Sequence, residues 1–392
     1  MGYLIRNRSI MNGFVRKGVH KMKTIFMTGF PGFLAEQLTE QLLQDAGEQI
    51  KHFYFLVLPE EKERAEQVLQ TLTYHQKVKH DQVTLVLGDI TKENLAIEHS
   101  LYTQLITEVT HVFHLAAIYD LAVPENIAEL VNVKGTDHVN QFIKQIKTLQ
   151  RYIYFSTAYV SGKREGIIYE HELDEGQSFR NHYERTKFLA EKLVQDIKQY
   201  VPTTIIRPGV VKGHSITGET IKFDGLYFLL NFYDRLRYLP VIPRLKDGSG
   251  YPEGNFVPSD YVIKGSTYLS LNPVGEGKTY HLTDPNPYDM GELQEILLKE
   301  FLGRKPKGTI PVTLAKLPLT SKTIRNWLRV EKEAMDYFTY HSIYDAREAK
   351  KDLESAGIYC PDLKDTVSSM VHFYRKYKDD PTKHLPIFFS KN

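Results

Sequence analysis

Apolar positions along this chain fall into two alternating patterns. Runs of strand length, in which most residues are apolar, occur at 24–28, 52–58, 83–87, 110–115, 152–155 and 203–206. Between them apolar residues recur at helical spacing: Leu34, Leu38, Leu42 and Leu43 after the first run, then stretches at 65–74 and 183–191 and one carrying Asn132 to Thr136. Continuous apolar strands separated by helices predict the α/β class, with a doubly wound parallel sheet. The ligand crevice of such a sheet lies at the carboxyl ends of its strands.

The first run turns on two glycines straight into a helix: Thr28, Gly29, Phe30, Pro31, Gly32, Phe33, Leu34. This construction either presents free backbone N–H groups to a pyrophosphate or is an ordinary strand-to-helix connection; with the downstream motifs it predicts a Rossmann-type NAD(P)-binding domain over residues 22–213. The second run ends at Leu58, where an acid would hold a ribose hydroxyl and a base would accommodate a 2′-phosphate; Lys62 and Arg64 lie just beyond it. The third run ends in Gly88, Asp89 and Ile90, where the acid serves either as a turn cap or as an adenine contact. The fourth leads through Leu115 to Ala116 and Ala117, small residues that allow close approach of a cofactor.

After residue 213 the alternation breaks. The segment 214–252 is aromatic-rich (Phe223, Tyr227, Phe228, Phe232, Tyr233, Tyr238) and reads as core or domain interface, or as a lid and apolar wall over a substrate. Residues 253–284 are expected to return to the main sheet through 255–260, with Ser259 or Asp260 capping a helix, and 285–392 to form a smaller, mainly helical substrate lobe.

Composition narrows the partners. The formal charge of +2 includes five Lys or Arg and no acid in residues 1–21, so the remaining chain is slightly acidic and nucleic acid is not expected as a partner. That basic leader lacks a continuous apolar core and is expected to be a disordered extension, or an upstream start ahead of Met22. No run approaches the ~18 apolar residues of a spanning helix. A single cysteine, Cys360, excludes an internal disulfide framework and a Cys-based zinc site and suits a cytoplasmic protein.

The most specific chemistry lies at Tyr183 and Lys187, four residues apart on one helical face. An ammonium beside a phenol favours the phenolate and is expected to draw its pKa from near 10 toward working pH. Thr157, at the end of the fifth run, supplies a hydroxyl for the same substrate oxygen.

Taken together, Thr28 to Ala35, Gly88-Asp89, His114 to Ala117, Asn132 to Thr136, Ser156-Thr157, Tyr183 with Lys187, and Arg207-Pro208 resemble the extended short-chain dehydrogenase/reductase family over residues 24–265. Ser156 to Val160 and Arg207 to Gly213 are most similar to its fatty acyl-CoA reductase (male-sterility type) and thioester-reductase branch. The resemblance implies Tyr183, Thr157 and Lys187 as catalytic residues, Asn132 as a structural or proton-relay residue, and Pro208, Gly209 and Val211 as further cofactor contacts. Two departures stand out: Ala35 replaces the usual third glycine, and Leu58 replaces the arginine common in the acyl reductases. Lys62 or Arg64 as its substitute favours NADP(H), with NAD(H) the alternative.

The implied activity is reduction of a carbonyl, that of an acyl thioester, to aldehyde or alcohol, with an apolar small-molecule substrate. A sugar-nucleotide epimerase or dehydratase, a steroid or isoprenoid dehydrogenase, and a non-catalytic scaffold on the same fold are the competing readings. Family resemblance also allows a homodimer, with the tyrosine helix as one interface.

Overall fold

The computed structural model describes residues 22–74, 79–119, 123–248 and 250–384. The expected extension at 1–21 lies outside the described residues. Seven parallel strands form the main sheet: β1 (Lys23–Thr28), β2 (Ile50–Val57), β3 (Val83–Leu87), β4 (His111–His114), β5 (Arg151–Phe155), β6 (Thr203–Pro208) and β7 (Thr279–Leu282), in the order β7-β6-β5-β4-β1-β2-β3. The order reverses beside β1, so β1 and β4 are neighbours and their carboxyl ends flank one crevice.

Alternation along each strand explains the continuous apolar runs. Ile25, Met27, Phe53, Phe55, Phe113, Ile153 and Ile206 face one side, where they pack on α1 (Phe33–Ala46) and the helix Ser259–Leu271. Phe26, Tyr54, Leu56, Val112, Tyr152, Tyr154 and Ile205 face the other, against Val139, Phe142 and Ile143 of the helix Gly135–Gln145 and against Ala190, Val194 and Ile197 of the helix His182–Lys198. Both faces are covered, as a parallel sheet requires.

The chain joins the sheet again through β7. Phe256–Pro258 pairs instead with Val210–Lys212, in a separate two-stranded element. The cause lies at Gly209: its N–H donates to Leu282 O, and a Cβ there would stand 2.3 Å from Asn255 Oδ1, so the strand that follows β6 is pressed against residue 255 and not against the sheet.

A second core fills the C-terminal lobe. Phe223, Tyr227, Leu230 and Tyr233 pack with Leu293, Leu297, Phe338, Met370 and Tyr374, which places the aromatic stretch mainly in the core. The lobe is tied back to the sheet domain where Ser342–Tyr344 pairs with Gly166–Ile168. Among the described residues no helix is long and apolar enough to cross a membrane.

Candidate active site

The glycine turn is fixed by close packing. Gly29 has φ +89°, which disfavours any side chain, and a Cβ on it would stand 2.8 Å from Ala116 N. Gly32 N donates to Gly29 O at 2.8 Å and starts α1, whose Ala35 is buried against the strand. Beneath the turn, Ala116 N donates to Thr28 Oγ1 at 3.1 Å, Thr28 Oγ1 meets His114 Nδ1 at 2.8 Å, and His114 Nε2 meets Thr136 Oγ1 at 3.1 Å. His114 thus locks the ends of β1 and β4 to the helix behind them. Burial, reinforced by Lys187, pushes its pKa down to about 3, so it is a neutral imidazole.

Tyr183 lies in the first turn of His182–Lys198. Asn181 caps that helix, its Oδ1 accepting from Glu184 N at 2.9 Å. The Tyr183 hydroxyl is hydrogen-bonded to Thr157, which sits just past β5. Lys187 is buried one turn on, with Nζ donating to Phe155 O at 2.7 Å and 4.7 Å from the Tyr154 ring centre. Burial pushes Lys187 down to about 7, opposed by Glu191.

The expected drawing down of Tyr183 is reversed. Burial raises its pKa, and the Thr157 hydrogen bond offsets only part of that rise. Desolvation of the phenolate outweighs a lysine whose own charge burial disfavours, so the phenol is held protonated.

A buried ion pair braces this helix. Arg207, on β6, donates to Glu191 at 2.6 Å, and their side chains are 1% and 0% exposed. Ser156 Oγ donates to Glu191 Oε2 at 2.5 Å, and Arg207 also reaches Glu172 O at 2.8 Å.

The cleft between the glycine turn and this helix has an empty volume of about 1580 Å³. Of the residues singled out in the sequence, Gly29, Gly32, Phe33, Leu34, Leu115, Ala116, Ala117, Thr157, Tyr183, Lys187, Pro208, Gly209 and Val211 line it. The others stand behind or beside it. Thr28 is buried below the turn, and Phe30 is stacked on Phe55 with ring centres 4.2 Å apart. Pro31 O accepts from Arg64 Nη2 at 3.2 Å, while Leu58 is exposed and Lys62 faces Glu66 at 3.7 Å. Asp89 Oδ1 accepts from both Thr91 N and Thr91 Oγ1 at 2.8 Å, which is the turn-cap alternative, and Ile90 packs on Gly135. Asn132, in the π-helical turn Glu129–Lys134, accepts from Ile118 N at 2.9 Å and donates to Thr186 Oγ1 at 3.0 Å. It ties the segment after β4 to the tyrosine helix.

Sequence reading named His114 only as part of a motif, without a role, and missed Glu191, Tyr119 and Tyr337 as site residues. Glu191 follows Lys187 by four residues, so helical spacing alone would have flagged it. Tyr119 stands edge-on to Tyr183 with ring centres 5.2 Å apart, and Tyr337 reaches the cleft from the C-terminal lobe beside Tyr159.

The buried ionisable groups set an acid limit on stability. Burial holds His111, His114 and His281 each at about 3, against 6.5 unfolded, and raises Glu170 and Glu184 to about 7, against 4.5. Between 6.5 and 4.5 the unfolded chain gains protons at three histidines and the folded chain at the two glutamates and at Asp224, which burial raises to about 6 against 3.8; below 3.8 the histidine effect is left unopposed by these groups. The Tm is therefore expected to change little from about pH 6.5 to about 4.5 and to fall below that. Calorimetric scans across this range test it, and a Tm that stays level down to about pH 3.5 would contradict neutral buried imidazoles.

A parallel sheet reversing at a glycine turn, with a hydroxyl, a tyrosine and a lysine at its carboxyl edge, defines an extended short-chain dehydrogenase/reductase, the class of NAD(P)-dependent oxidoreductases built on this crevice. The chain belongs to the male sterility protein family, whose NAD-binding profile matches residues 27–266. It is 27% identical, over 78% of its length, to a Drosophila melanogaster protein provisionally named a fatty acyl-CoA reductase, of which it covers 66%. It is 28% identical, over 44% of its length, to an alcohol-forming fatty acyl-CoA reductase of Simmondsia chinensis, of which it covers 38%. The chain thus spans less than two thirds of the length of these curated relatives. Among solved structures, the terminal R domain from the myxalamid PKS-NRPS biosynthetic pathway aligns with a TM-score of 0.78 at 24% identity, covering 93% of this chain and 94% of that one.

Proposed function

We propose that this chain reduces the carbonyl of an acyl thioester to an aldehyde or alcohol, with a nicotinamide cofactor in the cleft. The observation that carries the reading is the meeting of the Thr157–Tyr183 hydroxyl pair and buried Lys187 with the glycine turn in one cleft. Relatives named for fatty acyl-CoA reduction support the choice of carbonyl.

The residues fit a dinucleotide: the turn has no room for a Cβ at Gly29, and one continuous cleft runs from that turn to Tyr183. When bound, the nicotinamide supplies the hydride. Tyr183, kept protonated by burial, donates its proton to the substrate oxygen as negative charge develops there. Thr157 holds the same oxygen by a hydrogen bond, the role of an oxyanion-hole donor. Lys187 places a positive charge behind the phenol as the proton leaves. Asn132 acts through Thr186 and Ile118 as a positioning residue.

NADP(H) is the favoured cofactor. Arg64 is exposed, pairs with Glu61 at 3.0 Å and donates to Pro31 O at 3.2 Å, which brings a guanidinium beside the glycine turn where Leu58 offers none. A guanidinium there suits a 2′-phosphate. The test is release of free thiol from an acyl-CoA on addition of NADPH, at a rate at least about tenfold above that with NADH, with Arg64→Ala narrowing that ratio. Thiol release without dinucleotide, or none with either, would remove the reading; an unchanged ratio in the variant would remove the role of Arg64.

A further inference from the structure

Thr157 and Tyr183 are each followed in the chain by a residue that meets the C-terminal lobe. Tyr159, whose N–H donates to Thr157 Oγ1 at 3.3 Å, stands edge-on to the rings of Tyr337 and Tyr340, with centres 4.9 and 5.2 Å away. Glu184, next to Tyr183 in the first turn of its helix, accepts at Oε1 from the Tyr340 hydroxyl. Tyr340 directly follows the short helical segment Glu333–Thr339 and is stacked on Tyr337, the residue that reaches the cleft, with ring centres 5.0 Å apart.

Glu184 is 0% exposed, and a carboxylate so placed is strongly disfavoured unless both oxygens are hydrogen-bonded. One oxygen is satisfied at the helix entry, where Oε2 accepts from Arg180 N at 3.0 Å. The other is satisfied from the lobe, by Tyr340. The Arg180 guanidinium completes the arrangement, 3.5 Å from the centre of the Tyr340 ring and donating to Gly162 O at 2.8 Å. Capping of the helix does not require this carboxyl, because Asn181 Oδ1 already takes the Glu184 N–H.

Farther along the same helix, Thr186, Lys187 and Glu191 are tied to the sheet domain at Asn132, Phe155 O and Arg207. All three ties lie C-terminal to Tyr183. At the turn that carries the phenol, Glu184 ties the helix to the lobe.

Resting on the carbonyl-reduction reading above, we propose that Glu184 and Tyr340 form a clasp through which the C-terminal lobe sets the position of Tyr183, with Glu184 as a positioning residue. Seating Tyr337 in the far wall of the cleft and holding the phenol at Thr157 are then one event. Opening the clasp withdraws the wall and loosens the turn that carries the acid, and a small displacement of a reacting group is enough to slow a reaction.

Tyr340→Phe removes the hydroxyl and keeps the ring beneath Arg180 and against Tyr337; Glu184→Gln keeps the shape and an acceptor, and Glu184→Ala keeps neither. Hydrogen exchange of the full chain reads the clasp without any reaction. In Tyr340→Phe the amides of residues 333–344 are expected to exchange at least about tenfold faster, with those of the sheet strands unchanged. Steady-state kinetics with NADPH and acyl-CoA thioesters from hexanoyl to hexadecanoyl read it during turnover. In Tyr340→Phe kcat is expected to fall about tenfold with dinucleotide affinity unchanged, and Glu184→Gln to recover most of what Glu184→Ala loses. Adding Tyr340→Phe to Glu184→Ala is expected to change kcat by less than about twofold, because the clasp is already open. Losses that multiply in the double variant, or wild-type exchange and kcat in Tyr340→Phe, would overturn the clasp. Faster exchange with wild-type kcat would overturn the positioning role and keep the reductase reading. Faster exchange with no thioester reduced by the wild type would remove the reductase reading and leave the contact between lobe and helix standing.

Discussion

Tyr183→Phe is expected to lower kcat by about 10²- to 10⁴-fold while leaving dinucleotide affinity intact, because the variant removes one proton donor and keeps the ring. The ring is the part that packs: Tyr183 is buried, edge-on to Tyr119. Its hydroxyl has one partner of consequence, Thr157, and losing it leaves the substrate oxygen with a hydrogen-bond donor but no acid. Steady-state turnover, with dinucleotide binding followed by fluorescence, separates the two effects. Near-normal turnover would remove Tyr183 as the acid, and lost binding would make it a nucleotide ligand instead.

The largest effect on stability is expected from Glu191→Leu, at about 3–5 kcal/mol of destabilisation. Arg207 would then keep its guanidinium 1% exposed with no carboxylate opposite, and Ser156 would lose its acceptor. The carbonyls of Glu170 and Glu172 and the ring of His281 would remain as its partners, and neutral acceptors do not compensate a buried cation in full. Because Glu191 also faces Lys187, the variant should lower the lysine pKa further and carry the alkaline limit of turnover with it. Urea unfolding measures the first effect, and a midpoint equal to that of the wild type would show that the pair contributes nothing. Glu191→Gln, which keeps the shape and the Ser156 contact, is expected to lose less.

The sheet was legible because its strands are buried on both faces, and runs such as residues 52–58 carry that burial in plain form. The glycine turn and the tyrosine–lysine spacing were legible because each is a local device. β7 was not: Tyr-His-Leu at 280–282 is no apolar run, since its buried middle residue, His281, meets the guanidinium of Arg207 and the ring of Tyr344. Spacing also gave the wrong direction for Tyr183. Periodicity places an ammonium near a phenol but says nothing about how little water either one meets. The far wall of the cleft was hidden for a third reason. Tyr337 comes from another part of the chain, and no local pattern marks a residue whose importance depends on where a distant strand pair sets it down.

That strand pair, Ser342–Tyr344 on Gly166–Ile168, gives the molecule a division of labour. On the reading proposed above, the glycine turn and the Thr157, Tyr183 and Lys187 set come from the sheet and the elements that follow its strands, whereas Tyr337 reaches the cleft from the C-terminal lobe, held by this pairing and by the packing of neighbouring Phe338 in the second core. Substitutions around Tyr337 would then alter the far wall of the cleft and leave the glycine turn as it is.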